Sequence, residues 1–395
     1  MAGLGNRQKH SHGRHARTGF AIGAQNLSTG SGNESTYQRH LVYVPEKSAY
    51  RKRVPRNLDS NEGLATDRAA RYTAQREAGR VGRNRGHRFE EDLASQLGSL
   101  SMADISSRPE PIRHLVEGNA AKQLIRYIAQ TDGLSEIREV RAWWTGGLAT
   151  SGLGDRIFGA DEASVRRTKS DVVVEISHDG GVKLVGVGVK TCFNMKPTNA
   201  QLYFGTASSF CRLLRENSVG VSDLMEIELR KFCGDKGYRP MDAGDTGSTR
   251  ESDPSRWYWE ELSPEPRESW ERLFTVSNET ISRVLLQKAY KDDPIEPSFL
   301  LHLRHGEGFP TKPALAIYSI DEFVRYNRLY GGFKAREYQI RKGRFKNDPS
   351  IHLAPRFGVI QFQRGGQKQH PTQLQFNLKA GYFNHFPDIP AQVRH

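Results

Sequence analysis

The sequence predicts a mixed α/β fold, of the α+β kind, in which helices flank a mixed central sheet and a smaller β-rich part follows toward the C-terminus. Three observations lead there. Amphipathic helical stretches alternate with strand-like runs through most of the chain, a glycine-centred hairpin joins two valine-rich runs near its middle, and the last third alternates apolar and polar residues between Gly-rich turns. At 395 residues and 36% hydrophobic content, the chain can bury a sizeable core.

Taken in order, residues 1–66 read as a basic disordered tail, rich in Gly, Ser, His and Arg and without sustained periodicity. Residues 67–300 read as the α/β core. Phe89, Leu93, Leu97 and Leu100 share one helical face, "NAAKQLIRYIAQ" is a second helix, and "EIREVRAWW" is a strand before a Gly-rich connection. "SDVVVEISHDGGVKLVGVGVKT" is a hairpin turning at Asp179–Gly181. Helices are expected in "LYFGTASSFCRLLREN", "DLMEIELRKFC" and "NETISRVLLQKAY", with an insertion at about 235–270 marked by acids, prolines and Trp. Residues 301–395 read as a basic β-rich region. There Ile360 and Phe362 face one side and Val359, Gln361 and Gln363 the other, while Leu374, Phe376 and Leu378 oppose Gln373, Gln375, Asn377 and Lys379.

Function classes narrow quickly. No stretch is long and apolar enough to cross a bilayer and no secretory segment opens the chain, so a cytoplasmic location is expected. Cys192, Cys211 and Cys233 are too few and too scattered for a metal or redox motif, which leaves reduced core thiols. The net charge of +13 is concentrated. Residues 1–86 carry 16 basic and 6 acidic side chains and residues 325–379 carry 12 and 2, whereas 87–324 carry 29 and 36. Cations gathered in two blocks point to a polyanionic partner, most often nucleic acid.

The hairpin carries the chemistry. Hydrolysis of a phosphodiester needs a divalent ion to stabilise the pentacovalent phosphate, acids to hold that ion and a cation beside the attacking water. Hard ions such as magnesium take oxygen ligands. Asp171 opens the first strand and Lys190 ends its partner, so pairing can bring both to one end of the hairpin. Gly186, Gly188 and Lys190 share one face and Val185, Val187 and Val189 the other, leaving the lysine's face uncrowded.

"KSDVVVEI…VGVGVK" resembles the PD-(D/E)XK nuclease superfamily, to which most type II restriction endonucleases belong, with Ser-Asp in place of Pro-Asp. The resemblance covers roughly residues 80–215 and implies a restriction-endonuclease-like central sheet. "GHRFEEDLASQL" is similar to the acid-bearing helix of the archaeal Holliday-junction resolvases, which makes Glu90 the expected second acid and Glu91 its reserve. By this resemblance Asp171 and Glu90 would hold magnesium and Lys190 would act on the water. Gly188 departs from the pattern, standing where the family has an acid. Glu175 shares the face of Asp171, but four residues of strand span about 13 Å, too far to grasp the same ion.

The expected partner is double-stranded DNA, with homodimerisation suited to cutting two strands. Lys196, Asn199 and Gln201 follow the site strand directly. Arg364, Gln367, Lys368 and Gln369 surround a Gly-Gly turn, and Arg341 and Arg344 add phosphate contacts; Arg, Asn and Gln are the side chains that read base edges. The expected function is a magnesium-dependent type II restriction endonuclease. The alternatives are a structure-selective or repair nuclease of the same superfamily, and a DNA-binding protein that has lost catalysis.

Overall fold

A computed structural model describes residues 84–105, 114–145, 156–158, 163–165, 168–192, 200–203, 205–244, 253–288, 293–304, 314–340, 348–364 and 373–379. All lie within one compact unit, 66–395. The expected tail, 1–66, lies outside the described residues.

The first helix, α1, covers residues 84–98, and its residues Leu93, Ala94 and Leu97 are buried as the helical spacing requires. After α2 (Met102–Ile105) and β1 (Leu115–Glu117) comes α3 (Ala120–Asp132), capped by the Asn119 side chain and ended by Gly133 in the left-handed region. Then follow β2 (Glu139–Trp144), a short pair β3 (Arg156–Phe158) and β4 (Ala163–Val165), and the hairpin β5 (Val172–His178) and β6 (Gly181–Cys192). The hairpin turns at 179–180, with Gly181 at φ 122°.

Beyond it lie β7 (Ala200–Tyr203), α4 (Ala207–Glu216), α5 (Asp223–Cys233), α6 (Pro264–Val276) and α7 (Asn278–Gln287). The chain continues through β8 (Pro297–Arg304), β9 (Ala314–Ser319), α8 (Ile320–Leu329), β10 (Phe333–Tyr338), β11 (His352–Phe357), β12 (Ile360–Arg364) and β13 (Leu374–Leu378).

The central sheet has the order β1-β9-β8-β6-β5-β2. It is mixed: β6 and β8 run parallel, and the other neighbours are antiparallel. One face packs against α1 and α3 through Val172, Val174, Val185, Val187, Val189, Phe299 and Leu301. The opposite face presents Leu300 and Tyr318 to a second core built from α4–α8 and a smaller antiparallel sheet, β10-β11-β12-β13-β7. Strand alternation thus divides a single run such as Phe299–Leu303 between two cores. A mixed sheet flanked by helices, with a smaller antiparallel sheet, is the mixed α/β architecture expected from the sequence.

Local expectations were met unevenly. The expected helix at 202–217 begins only at Ala207, because residues 200–203 pair with β13 as an edge strand. Residues 320–329 are helical within a region expected to be β-rich, started by the Ser319 side chain bonding Glu322 N. Strand β8 runs across residue 300, and with β9 it completes the central sheet. The stretch expected as an insertion buries Trp259 and Trp270 in the second core. Val359 sits in a turn and faces the core rather than the polar side, its N–H bonding Asn327 Oδ1. Leu374, Phe376 and Leu378 line the core as spaced, while Gln375 and Asn377 opposite them are also buried. The three cysteines are free and buried, and no described helix is long and apolar enough to cross a membrane.

Candidate active site

Pairing of β5 with β6 fixes the site. The regular register ends at Val172↔Val187, and just before it Asp171 N also donates to Val187 O at 2.9 Å, which holds Asp171 against the Val187–Lys190 stretch of β6. Its Oδ2 accepts from Val189 N at 2.6 Å and from Lys190 Nζ at 3.2 Å. Lys190 Nζ also donates to Val189 O at 2.8 Å, and both side chains remain a quarter exposed. The carboxylate and the ammonium therefore meet at one end of the hairpin, as the spacing in the sequence allows.

Helix α1 brings the second acid. Gly86 approaches Thr191, the residue after Lys190: a Cβ built there would lie 3.9 Å from Thr191 Oγ1. One turn on, Glu90 is 8% exposed and accepts from Trp144 Nε1 at 3.1 Å. Burial raises the Glu90 carboxyl to about 7, and the charge of Asp171 adds to the rise, while the Trp144 hydrogen bond and Lys190 oppose it. Glu90, Asp171 and Lys190 thus form one electrostatic group. Glu91 is exposed. Glu175 is buried and makes its ion pair with Arg141 Nη1 at 3.7 Å.

Asp171 Oδ1 and Glu90 Oε1 make no hydrogen bond among the described residues. Two buried or half-buried carboxylates whose charges oppose each other, each with an oxygen to spare, are the oxygen donors that a hard divalent cation takes. The donor set holds two acids where the family pattern has three. Among the described residues no group of three or more His, Cys, Asp or Glu is arranged to hold a metal.

The two glycines of "VGVGVK" prove different in kind. A Cβ at residue 186 would collide with Ser170 Oγ and come within 2.5 Å of Glu296 O, so this position needs glycine. A Cβ at 188 would meet Leu300 Cδ1 at 3.5 Å, Phe299 O at 3.8 Å and Pro297 Cβ at 3.9 Å, which is ordinary contact. Sterics thus admit a Cβ at residue 188 but not at residue 186.

Trp144, Lys169 and Ser170 were not foreseen as site residues. Trp144 reads as a core or loop anchor, and its bond to Glu90 spans 54 residues. Lys169 is drawn down to about 7 by burial, with the charge of Lys190 adding to the fall and Asp171 and Asp293 opposing it. The adjacent Ser-Asp pair could have drawn attention to it, but its contacts are made far along the chain.

The expected DNA-contacting residues are distributed less completely. Gln201 is exposed on β7, opposite Asn377 of β13. The backbone of Arg364 ends β12, paired with Leu374. Lys196, Asn199, Arg341, Arg344, Gln367, Lys368 and Gln369 lie outside the described residues.

No protein-family model matches the chain, and no curated protein matches it. Among solved structures, it is similar to the restriction endonuclease MspI, crystallised in complex with its cognate DNA, at a TM-score of 0.37 and 15% sequence identity, over 66% of this chain and 80% of that one.

Proposed function

We propose that this protein is a magnesium-dependent endonuclease of the PD-(D/E)XK type that hydrolyses double-stranded DNA, and that it acts as a type II restriction enzyme. One observation carries the reading: Asp171 and Lys190 meet at 3.2 Å beside Glu90, an acid that a separate helix delivers and burial holds near neutrality.

In this reading Asp171 and Glu90 hold the ion, which when bound supplies Lewis acidity to the phosphate and to the water near it. Lys190, fixed by Asp171 Oδ2 and Val189 O, orients the attacking water and offsets charge growing on the phosphate oxygens. Glu90 must release its proton to become a ligand, so ion binding and deprotonation are linked. The basic blocks at 1–86 and 325–379 supply phosphate contacts, with Gln201 and Arg364 among the candidates for reading bases. Two copies would cut two strands.

Plasmid DNA incubated with the full chain and magnesium should yield discrete fragments whose mapped ends share one short sequence, and a chelator should abolish them. A uniform smear would remove sequence specificity, and cutting confined to branched DNA would make the protein a structure-selective nuclease. Gly188 favours a second reading, a DNA-binding protein without catalysis. DNA retardation with no strand breaks at any magnesium concentration would establish it.

A further inference from the structure

The three residues before Asp171 are tied to one distant segment. Thr168 Oγ1 donates to Ile295 O at 2.8 Å, Lys169 N donates to Asp293 Oδ2 at 2.6 Å, and Ser170 Oγ donates to Ile295 O at 2.7 Å. Lys169 Nζ donates to Leu285 O and, at 3.2 Å, to Lys288 O, the carbonyls at the end of α7. Helix ends leave such carbonyls unsatisfied, and the N–H groups of Lys169 Nζ supply them with donors. The far side is itself braced, since Ile295 N donates to Asp293 Oδ1 at 3.1 Å and Lys288 pairs with Glu296. Gly186 closes the arrangement by letting Ser170 and Glu296 approach β6 without a side chain between them.

We infer that Lys169 is a positioning residue for the metal site: its Nζ, bonded to carbonyls at the end of α7, fixes the backbone from which Asp171 reaches Lys190 and the ion. This rests on the proposed metal-dependent reading. Lys169 touches neither substrate nor ion and acts only through Asp171. The segment before β5 is anchored on one side by β6 and on the other by Thr145, just past β2, whose N–H donates to Asp171 O at 3.1 Å and whose Oγ1 donates to Ser170 O. The clamp adds a third tie, to the segment between α7 and β8, and it fixes the residues immediately ahead of the carboxylate. Groups that orient a ligand in this way typically govern affinity by about 10–100-fold.

Magnesium binding by the full chain, followed by isothermal titration calorimetry, tests the inference alongside plasmid cleavage and thermal melting. Lys169→Met should weaken magnesium binding by roughly tenfold or more and lower kcat, with KM for DNA unchanged. Lys169→Arg, which keeps the donors, should restore most of both. Thr168→Val, nearly isosteric and lacking only the hydroxyl, should weaken magnesium binding by about threefold while melting as a folded protein, and serves if Lys169→Met does not fold. Native magnesium affinity in Lys169→Met, or in Thr168→Val should the first variant fail to fold, overturns the positioning role. If the unaltered protein binds no magnesium, the metal-dependent reading itself fails, and the inference with it.

Discussion

The indole N–H of Trp144 points at Oε2 of Glu90, 3.1 Å away, joining the end of an edge strand to the helix that carries the acid. Trp144 pairs with Val172 across the sheet, so this bond references Glu90 to the strand that Asp171 begins. The bond favours the ionised carboxylate. Trp144→Phe should therefore raise the Glu90 carboxyl further and displace the pH profile of magnesium binding upward by about 0.5–1 unit. Calorimetric titrations from pH 6 to 9 measure it, and an unmoved profile would deny the link.

Glu90 also makes a stability prediction. Its folded-state value of about 7 lies above the 4.5 expected when unfolded, so its stabilising contribution is complete below pH 4.5 and is lost as pH rises through 7. Read as the difference from Glu90→Gln, the Glu90 carboxyl should cost the metal-free protein on the order of 2 kcal/mol between pH 5.5 and pH 8, while Lys169, lowered to about 7, acts in the opposite sense in both proteins. Glu90→Gln should remove that cost and abolish cleavage. Differential scanning calorimetry of both proteins in chelator decides it.

Lys190→Met should reduce cleavage by roughly a hundredfold or more, because a preorganised cation beside the phosphate is lost. The melting temperature should hardly change, since a partly exposed ion pair contributes about 0–1 kcal/mol. Single-turnover cleavage and a melting curve separate the two effects.

The glycines give a paired test. Gly186→Ala should cost about 2 kcal/mol through overlap with Ser170 and Glu296, whereas Gly188→Ala should stay within about 0.5 kcal/mol of the native protein. Denaturant melts and calorimetry read the outcomes, and equal costs at both glycines would contradict the packing described.

The hairpin, its parity and the joining of Asp171 to Lys190 were legible in the sequence because they depend on local spacing and a short turn. Glu90 was reached through family resemblance, since nothing local ties a helix at 84–98 to a strand ending at 192. The division of the sheet between two cores, and the place of β8 and β9 within it, were not legible. They depend on a parallel pairing, Lys190↔His302, that no alternation pattern announces. Helix α8 was hidden for a similar reason: "IDEFVRYN" follows a strand without a break, and its start is marked by the single side chain of Ser319.

The clamp before Asp171 joins residues 116 to 127 positions apart. During synthesis the β5–β6 hairpin can close as soon as it leaves the ribosome, but its anchorage waits until residue 295 has followed. Contacts of such long range form late and slowly. A nascent chain would thus carry Glu90, Asp171 and Lys190 well before the segment ahead of Asp171 is clamped.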